Sequence, residues 1–343
     1  MAAVSSSAPQ IPQSRQELQE RLADLTVAAV QSIAADHFER IAQLDPTKFD
    51  LAKAKQALNG GVWYSVEYLQ LLKKANGQVT HSEQRLLDLG YAPGTYFKRL
   101  GKDSIFWIVK PNVSASDAID AAIKGPTIVD CGIACNLAYH KALRDLLGKA
   151  RYDKIFNGRL VLVYPRPDSL DAFIQFVKKT VRADTGKPSI QIRKGNLAMV
   201  HNNEQYPLKH PYGLFPGFNV MCIGGKRYVG LGTPKDGLTM DEIRKLLVAE
   251  FNKDFNPRMD ETVTPEQLKG KLDPCGLTEE TLKRNLKIQE KDVRGADLTC
   301  IQEFNLDRIE KLLQVPADKL TPEIIYDIYP ELPLIDAEIA QYK

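Results

Sequence analysis

A chain of 343 residues, 43% hydrophobic and 26% charged, is long enough for two domains, or for one domain with large additions. Its 46 basic and 43 acidic side chains leave a net charge of +3, too balanced for the basic footprint of a nucleic-acid binder. No run approaches the roughly 18 apolar residues of a membrane span, the first residues lack the order of a secretory signal, and the five irregularly spaced cysteines do not read as a disulfide framework.

Residues 1–14 are small, polar and proline-containing, the composition of a disordered lead-in. From Arg15 to Leu44, the residues Leu18, Leu22, Leu25, Ala29 and Ile33 recur at three- and four-residue steps. That spacing predicts a helix, broken at Asp45-Pro46. Shorter helices are predicted over Asp50–Leu58, Val62–Ala75 and His81–Leu89, so residues 15–100 read as a helical N-terminal part.

The core is predicted over residues 101–251. Ser104–Lys110 is aromatic and β-branched, a strand pattern. Ser114–Lys124 follows as a helix capped by Ser114 or Ser116. Gly125-Pro126 stops it, and a helix from Cys131 to about Leu147 comes next, with Gly148 past its end. Leu160–Tyr164 predicts a buried strand, Ser169–Val181 a helix, and Ser189–Ile192 and Leu197–Val200 short strands. Phe218–Ile223 and Arg227–Gly230 predict a hairpin over Gly224-Gly225. Thr239 opens a helix over Met240–Phe251. The fold class this implies is α+β.

Residues 252–343 change character. They carry cap-like Thr264-Pro265-Glu266, Thr278-Glu279-Glu280 and Thr321-Pro322-Glu323, with amphipathic pieces such as Leu282–Ile288 and Leu306–Leu313. This predicts a helical C-terminal appendage, either a surface cover or a module that docks a protein partner.

The chemistry concentrates at Asp130-Cys131. Asp130 is a good N-cap type, and Cys131 would be the first helical residue. Unpaired N–H groups at a helix start favour an anion, so a thiol placed there ionises more easily. The alternative is a buried, inert cysteine. Cys135 lies one turn on, on the same face, and reads as core; Cys222 falls in a strand and reads as core too. Cys275 and Cys300 stand alone in the appendage. No Cys or His pair has zinc-finger spacing and no glycine pair forms a phosphate loop, so no metal or cofactor is expected.

Further segments around Cys131 resemble a known family. Phe106-Trp107-Ile108-Val109, Ser116-Asp117-Ala118-Ile119 and Gly125-Pro126 are similar to the run leading to the active cysteine of the bacterial spore-coat transglutaminases. Ala138-Tyr139-His140-Lys141-Ala142-Leu143, Leu147-Gly148, Tyr152-Asp153-Lys154-Ile155-Phe156 and Leu160-Val161-Leu162-Val163-Tyr164 continue the similarity in order. The resemblance covers roughly residues 60–250. It implies an NlpC/P60 papain-like core, a cysteine helix packed on an antiparallel sheet. It also implies acyl transfer from protein glutamine side chains to lysine or water, with Cys131 as nucleophile.

The family pairs an acid with the cysteine that follows it. Here the acid is Asp130, where the family has Glu, and it reads as base or as cap. A second family acid, in a Gly-Glu-Asn-Val strand, matches Gly217-Phe218-Asn219-Val220, which puts Phe218 at its position. A family histidine also falls replaced near Leu231. Either the base comes from elsewhere, or the register of this match differs, or the chain is catalytically silent. His201, followed by the amides of Asn202 and Asn203, sits after the cysteine helix at a strand edge, as a papain-like base would. His210 is a second candidate. His140 lies nine residues past Cys131, on the opposite helix face and roughly 13 Å along, and reads as packing or surface. His37 and His81 read as structural.

The leading expectation is a transglutaminase-type thiol acyltransferase, with deamidation as the same chemistry on water. Two alternatives stay open: a catalytically silent relative that binds a protein, favoured by Phe218, and a papain-like peptidase or amidase. The cytoplasm is the default location, with signal-independent secretion into a host as the alternative.

Overall fold

A computed structural model describes residues 12–43, 95–100, 106–124, 131–159, 161–163, 178–181, 192–209, 215, 217–230, 233–253, 286–296 and 301–341. The helices expected over Asp50–Leu58, Val62–Ala75 and His81–Leu89 lie outside these residues, as do Asp130, His81, His210, Leu231, Cys275 and Cys300.

Helix α1 spans Arg15–Gln43. Its buried residues Leu18, Leu22, Ala29 and Val30 follow the spacing that predicts it, and they pack against the cysteine helix. Leu22 is fully buried. Truncating such a leucine to alanine costs about 2–5 kcal/mol. Strands β1 (Phe97–Leu100), β2 (Phe106–Val109) and β3 (Val161–Val163) form a small antiparallel sheet in that order. Helix α2 (Ala115–Lys124) lies between β2 and the cysteine helix in sequence. Ser114 caps it, its hydroxyl accepting from the Asp117 N–H at 3.1 Å. Asp153 accepts from the Ser116 N–H and the Ser114 hydroxyl, both at 2.8 Å, and the Asn157 side-chain Oδ1 accepts from the Ala115 N–H at 2.7 Å. The unpaired donors of that helix start are thus met from a neighbouring helix.

Helix α3 runs over Cys131–Leu147 and α4 over Lys149–Phe156, separated by Gly148 at φ 77°. Most of α3 is buried. It rests on the larger, seven-stranded antiparallel sheet. That sheet comprises β4 (Lys178–Val181), β5 (Leu197–His201), β6 (Gly217–Gly224), β7 (Arg227–Val229), β8 (Leu238–Thr239), β9 (Gly295–Ala296) and β10 (Ile301–Phe304). The order is β4-β10-β5-β6-β7-β8, with β9 paired to β5 beyond the end of β10. The four-residue helix α5 (Tyr206–Lys209) follows β5. β6 and β7 join through Gly225-Lys226, both at positive φ, the two-residue turn whose twist suits a hairpin. Helix α6, Met240–Phe251, begins at a capping box formed by Thr239 and Glu242.

The sheet separates two apolar layers. One gathers α1, α2, α3 and α4 with α7 (Leu306–Gln314), α8 (Pro322–Ile328) and α9 (Leu332–Gln341). The other gathers α6 with Val200, Phe218, Val220 and Cys222 from the opposite face of β5 and β6. Helix and antiparallel sheet in these layers make an α+β fold.

Two expectations about elements are corrected. The helix predicted over Ser169–Val181 is not helical at its end, where Lys178–Val181 forms β4 against β10. The stretch after residue 252 is helical from Leu306 onward but also supplies β9 and β10 to the large sheet. Among the described residues no helix is long and apolar enough to cross a membrane, and no group of three His, Cys, Asp or Glu side chains could hold a metal.

Candidate thiol site

Cys131 opens α3 at the point where β7 leaves β6. The last rungs of that hairpin join Met221 to Val229 and Cys222 to Tyr228. Asn219 lies two residues further along β6, and there the first turn of α3 meets it. Its backbone N–H donates to the Cys131 sulfur at 3.5 Å, and its side-chain Nδ2 donates to the same sulfur at 3.4 Å. The Asn219 carbonyl lies 3.9 Å from the Cys135 sulfur. One strand residue therefore sits between two cysteines a helical turn apart. Cys131 is half-buried and Cys135 is buried.

The height of α3 over the sheet is set deeper in the core. The buried Tyr139 hydroxyl accepts from the Leu197 N–H at 3.1 Å and is shared as donor between the Gly195 and Gln302 carbonyls, at 2.8 and 2.9 Å. Its ring packs edge-on against Phe304. Burial holds its phenol neutral, well above the usual range. This contact joins α3 to β5 and β10 at one atom. At the far end of α3, Lys141 and Arg144 pair with Asp120 and Asp145, away from Cys131.

Strand alternation decides which side chains share the face of Cys131. In β6, Asn219 and Met221 face α3, while Phe218, Val220 and Cys222 face the α6 layer. In the antiparallel pairing Met199 lies opposite Asn219 and His201 opposite Gly217. Paired residues share a face, so Leu197, Met199 and His201 lie on the α3 side and Val200 on the other. His201 is then the diagonal neighbour of Asn219, about 7–8 Å away between backbones. His201, Met199, Asn219 and Cys131 are all half-buried.

The predicted candidates separate on this map. His201 is the last residue of β5 itself, on the Cys131 face. The amides after it do not orient it. Asn202 is buried and donates to the Phe215 and Leu247 carbonyls, at 3.0 and 3.1 Å, and Asn203 donates to the Asp292 carbonyl at 3.0 Å. His140 is buried, its Nδ1 2.8 Å from the Tyr152 hydroxyl and its ring against Phe156. That is a packing role. Cys222 is buried in β6, and burial pushes its thiol up.

Phe218 does not face Cys131. Its side chain is 4% exposed and lies in the α6 layer, near Phe215. The residue of β6 that reaches the sulfur is its neighbour Asn219, which the sequence reading passed over. Period-two alternation with the apolar Val220 and Cys222 would have separated the two.

No protein-family model matches the chain, and no curated protein matches it. Among solved structures, a transglutaminase from Geobacillus stearothermophilus, without its C-terminal extension, is similar with a TM-score of 0.49 and 14% identity; the match spans 89% of this chain and 100% of that one.

Proposed function

We propose that this chain is a thiol acyltransferase acting on protein glutamine side chains, with Cys131 as nucleophile and His201 as general base and acid. The observation that supports it most is the Cys131 sulfur: half-buried at the head of α3, and the acceptor of two N–H groups at 3.4 and 3.5 Å. Helix start and donors both favour negative charge on sulfur. The choice of glutamine as acyl donor comes from the sequence similarity around Cys131, as does a papain-like description of the core. Asp130, next to the nucleophile in sequence, belongs to the same proposal as a cap or an auxiliary carboxylate.

In the first half-reaction His201 takes the Cys131 thiol proton and the sulfur attacks the carboxamide carbon, forming the C–S bond while the carbonyl electron pair moves to oxygen. His201 protonates the leaving nitrogen, the C–N bond breaks, and ammonia departs from a thioester. A lysine amine, or water, then attacks the thioester, giving up its proton to His201 as the thiolate leaves. Lysine gives a cross-link, and water gives deamidation.

The test is incorporation of a labelled primary amine into a glutamine-containing protein by the intact chain and by Cys131→Ala. The expected result is incorporation by the former alone. Equal incorporation by both removes Cys131 from the chemistry. A catalytically silent relative is separated by iodoacetamide: rapid labelling of Cys131, ahead of the buried Cys135 and Cys222, is expected of the enzyme and not of an inert thiol.

A further inference from the structure

The geometry points to Asn219 as the group that holds Cys131 in its charged, attacking form. This rests on the reading of Cys131 as a nucleophile. Two donors reach the sulfur from one residue, the backbone N–H at 3.5 Å and Nδ2 at 3.4 Å. The first is fixed by β6, since Asn219 lies within the strand opposite Met199. It cannot swing away when sulfur changes its charge. A thiol sulfur is a weak acceptor, whereas a thiolate accepts charge-assisted hydrogen bonds of about twice the strength. The pair of donors therefore favours S⁻ over S–H.

The remaining groups of Asn219 agree with that role. Its backbone carbonyl, which would repel a thiolate, is turned to the Cys135 sulfur at 3.9 Å. Its side chain sits on the α3 face, while its neighbours Phe218 and Val220 are packed in the opposite layer and fix the strand's pleat. An amide also carries no charge of its own. Asn219 supports the anion through hydrogen bonds and not through an ion pair of its own. When sulfur bonds to the carboxamide carbon its negative charge passes to the carbonyl oxygen, and Nδ2 is released without any proton transfer.

The experiment follows Cys131 alkylation by iodoacetamide in the full chain, read by peptide mass spectrometry between about pH 5 and pH 10. Wild type is compared with Asn219→Ala, Asn219→Ser and Asn219→Asp. In Asn219→Ala the pH of half-limiting rate is expected to rise by about one unit, making alkylation near neutrality about tenfold slower. Asn219→Ser keeps a small donor and should fall between alanine and wild type. Asn219→Asp sets a like charge beside the sulfur and should rise furthest. Far-UV circular dichroism reports folding. Should the alanine variant not fold, serine and aspartate carry the same comparison.

Unchanged profiles in the variants overturn this role for Asn219. So does a wild-type profile with no limb below that of an ordinary thiol. The shift in profile needs no turnover. If it appears but wild type incorporates no amine, the acyl-transfer reading falls and the role of Asn219 stands. If amine is incorporated while the profiles coincide, the reverse holds.

Discussion

A methyl group on Gly230 would stand 2.5 Å from the carbonyl oxygen of Asn219. Gly230 follows β7 directly, and its backbone lies close against β6 at Asn219, the residue whose N–H groups reach the Cys131 sulfur. The obstacle is main chain, so no rotamer change relieves it. Gly230→Ala is expected to destabilise the fold by about 1–3 kcal/mol and to slow Cys131 alkylation, because the strand that carries both donors must move. Urea unfolding and iodoacetamide labelling of the same preparation check the two effects together.

The two histidines near the cysteine helix should divide cleanly. His201→Ala removes an imidazole from the Cys131 face and is expected to lower amine incorporation by about 10²–10⁴-fold, with little change in melting temperature. His140→Ala leaves the buried Tyr152 hydroxyl without a partner it holds at 2.8 Å. It should lower stability by about 1–3 kcal/mol and leave the rate per folded molecule unchanged. Measuring activity and denaturant midpoint for both variants gives the contrast.

Tyr139→Phe deletes one oxygen that serves Leu197, Gly195 and Gln302. The ring and its contact with Phe304 survive. What remains is a buried N–H and two carbonyls short of a partner, for a loss of about 1–3 kcal/mol. Hydrogen exchange should quicken first at Leu197, whose amide loses its acceptor.

Two exposed helix caps give the chain an acid-sensitive component. The Thr239 N–H and hydroxyl hold Glu242 below the usual carboxylate range, and its own backbone N–H with the Thr321 hydroxyl does the same for Glu323. A carboxylate lowered in the folded state binds a proton less readily than in the unfolded chain. Its contribution is whole above the unfolded value near 4.5 and is lost as pH falls through the folded one. The double variant Glu242→Gln, Glu323→Gln should show a flatter decline of melting temperature below about pH 4.5 than wild type.

The elements that sequence displays best are those whose instructions are local. Thr239 with Glu242 three residues on announces α6, and its bounds are as expected. Gly224-Gly225 announces the β6–β7 hairpin, although its turn lies one residue on, at Gly225-Lys226. The start of α3 at Cys131 and its stop at Gly148 are equally plain. What sequence hides is set by distant partners. Lys178–Val181 carries a helix-like apolar pattern upstream, yet it pairs with Ile301–Phe304, more than a hundred residues away. The site shows the same limit. Matching a family motif put attention on Phe218, and a shift of one residue reverses every face along a strand. In β6 it is Asn219, not Phe218, that lies on the Cys131 face.

The place of β10 has a consequence for synthesis. A ribosome that has delivered α6 has already released Cys131, Asn219 and His201, yet β4 and the first part of β5 still lack the strand that lies between them. Their edges stay open until the chain past residue 300 emerges, and open edges invite pairing with other chains. The Cys131 thiol thus leaves the ribosome well before the sheet beneath its helix is complete.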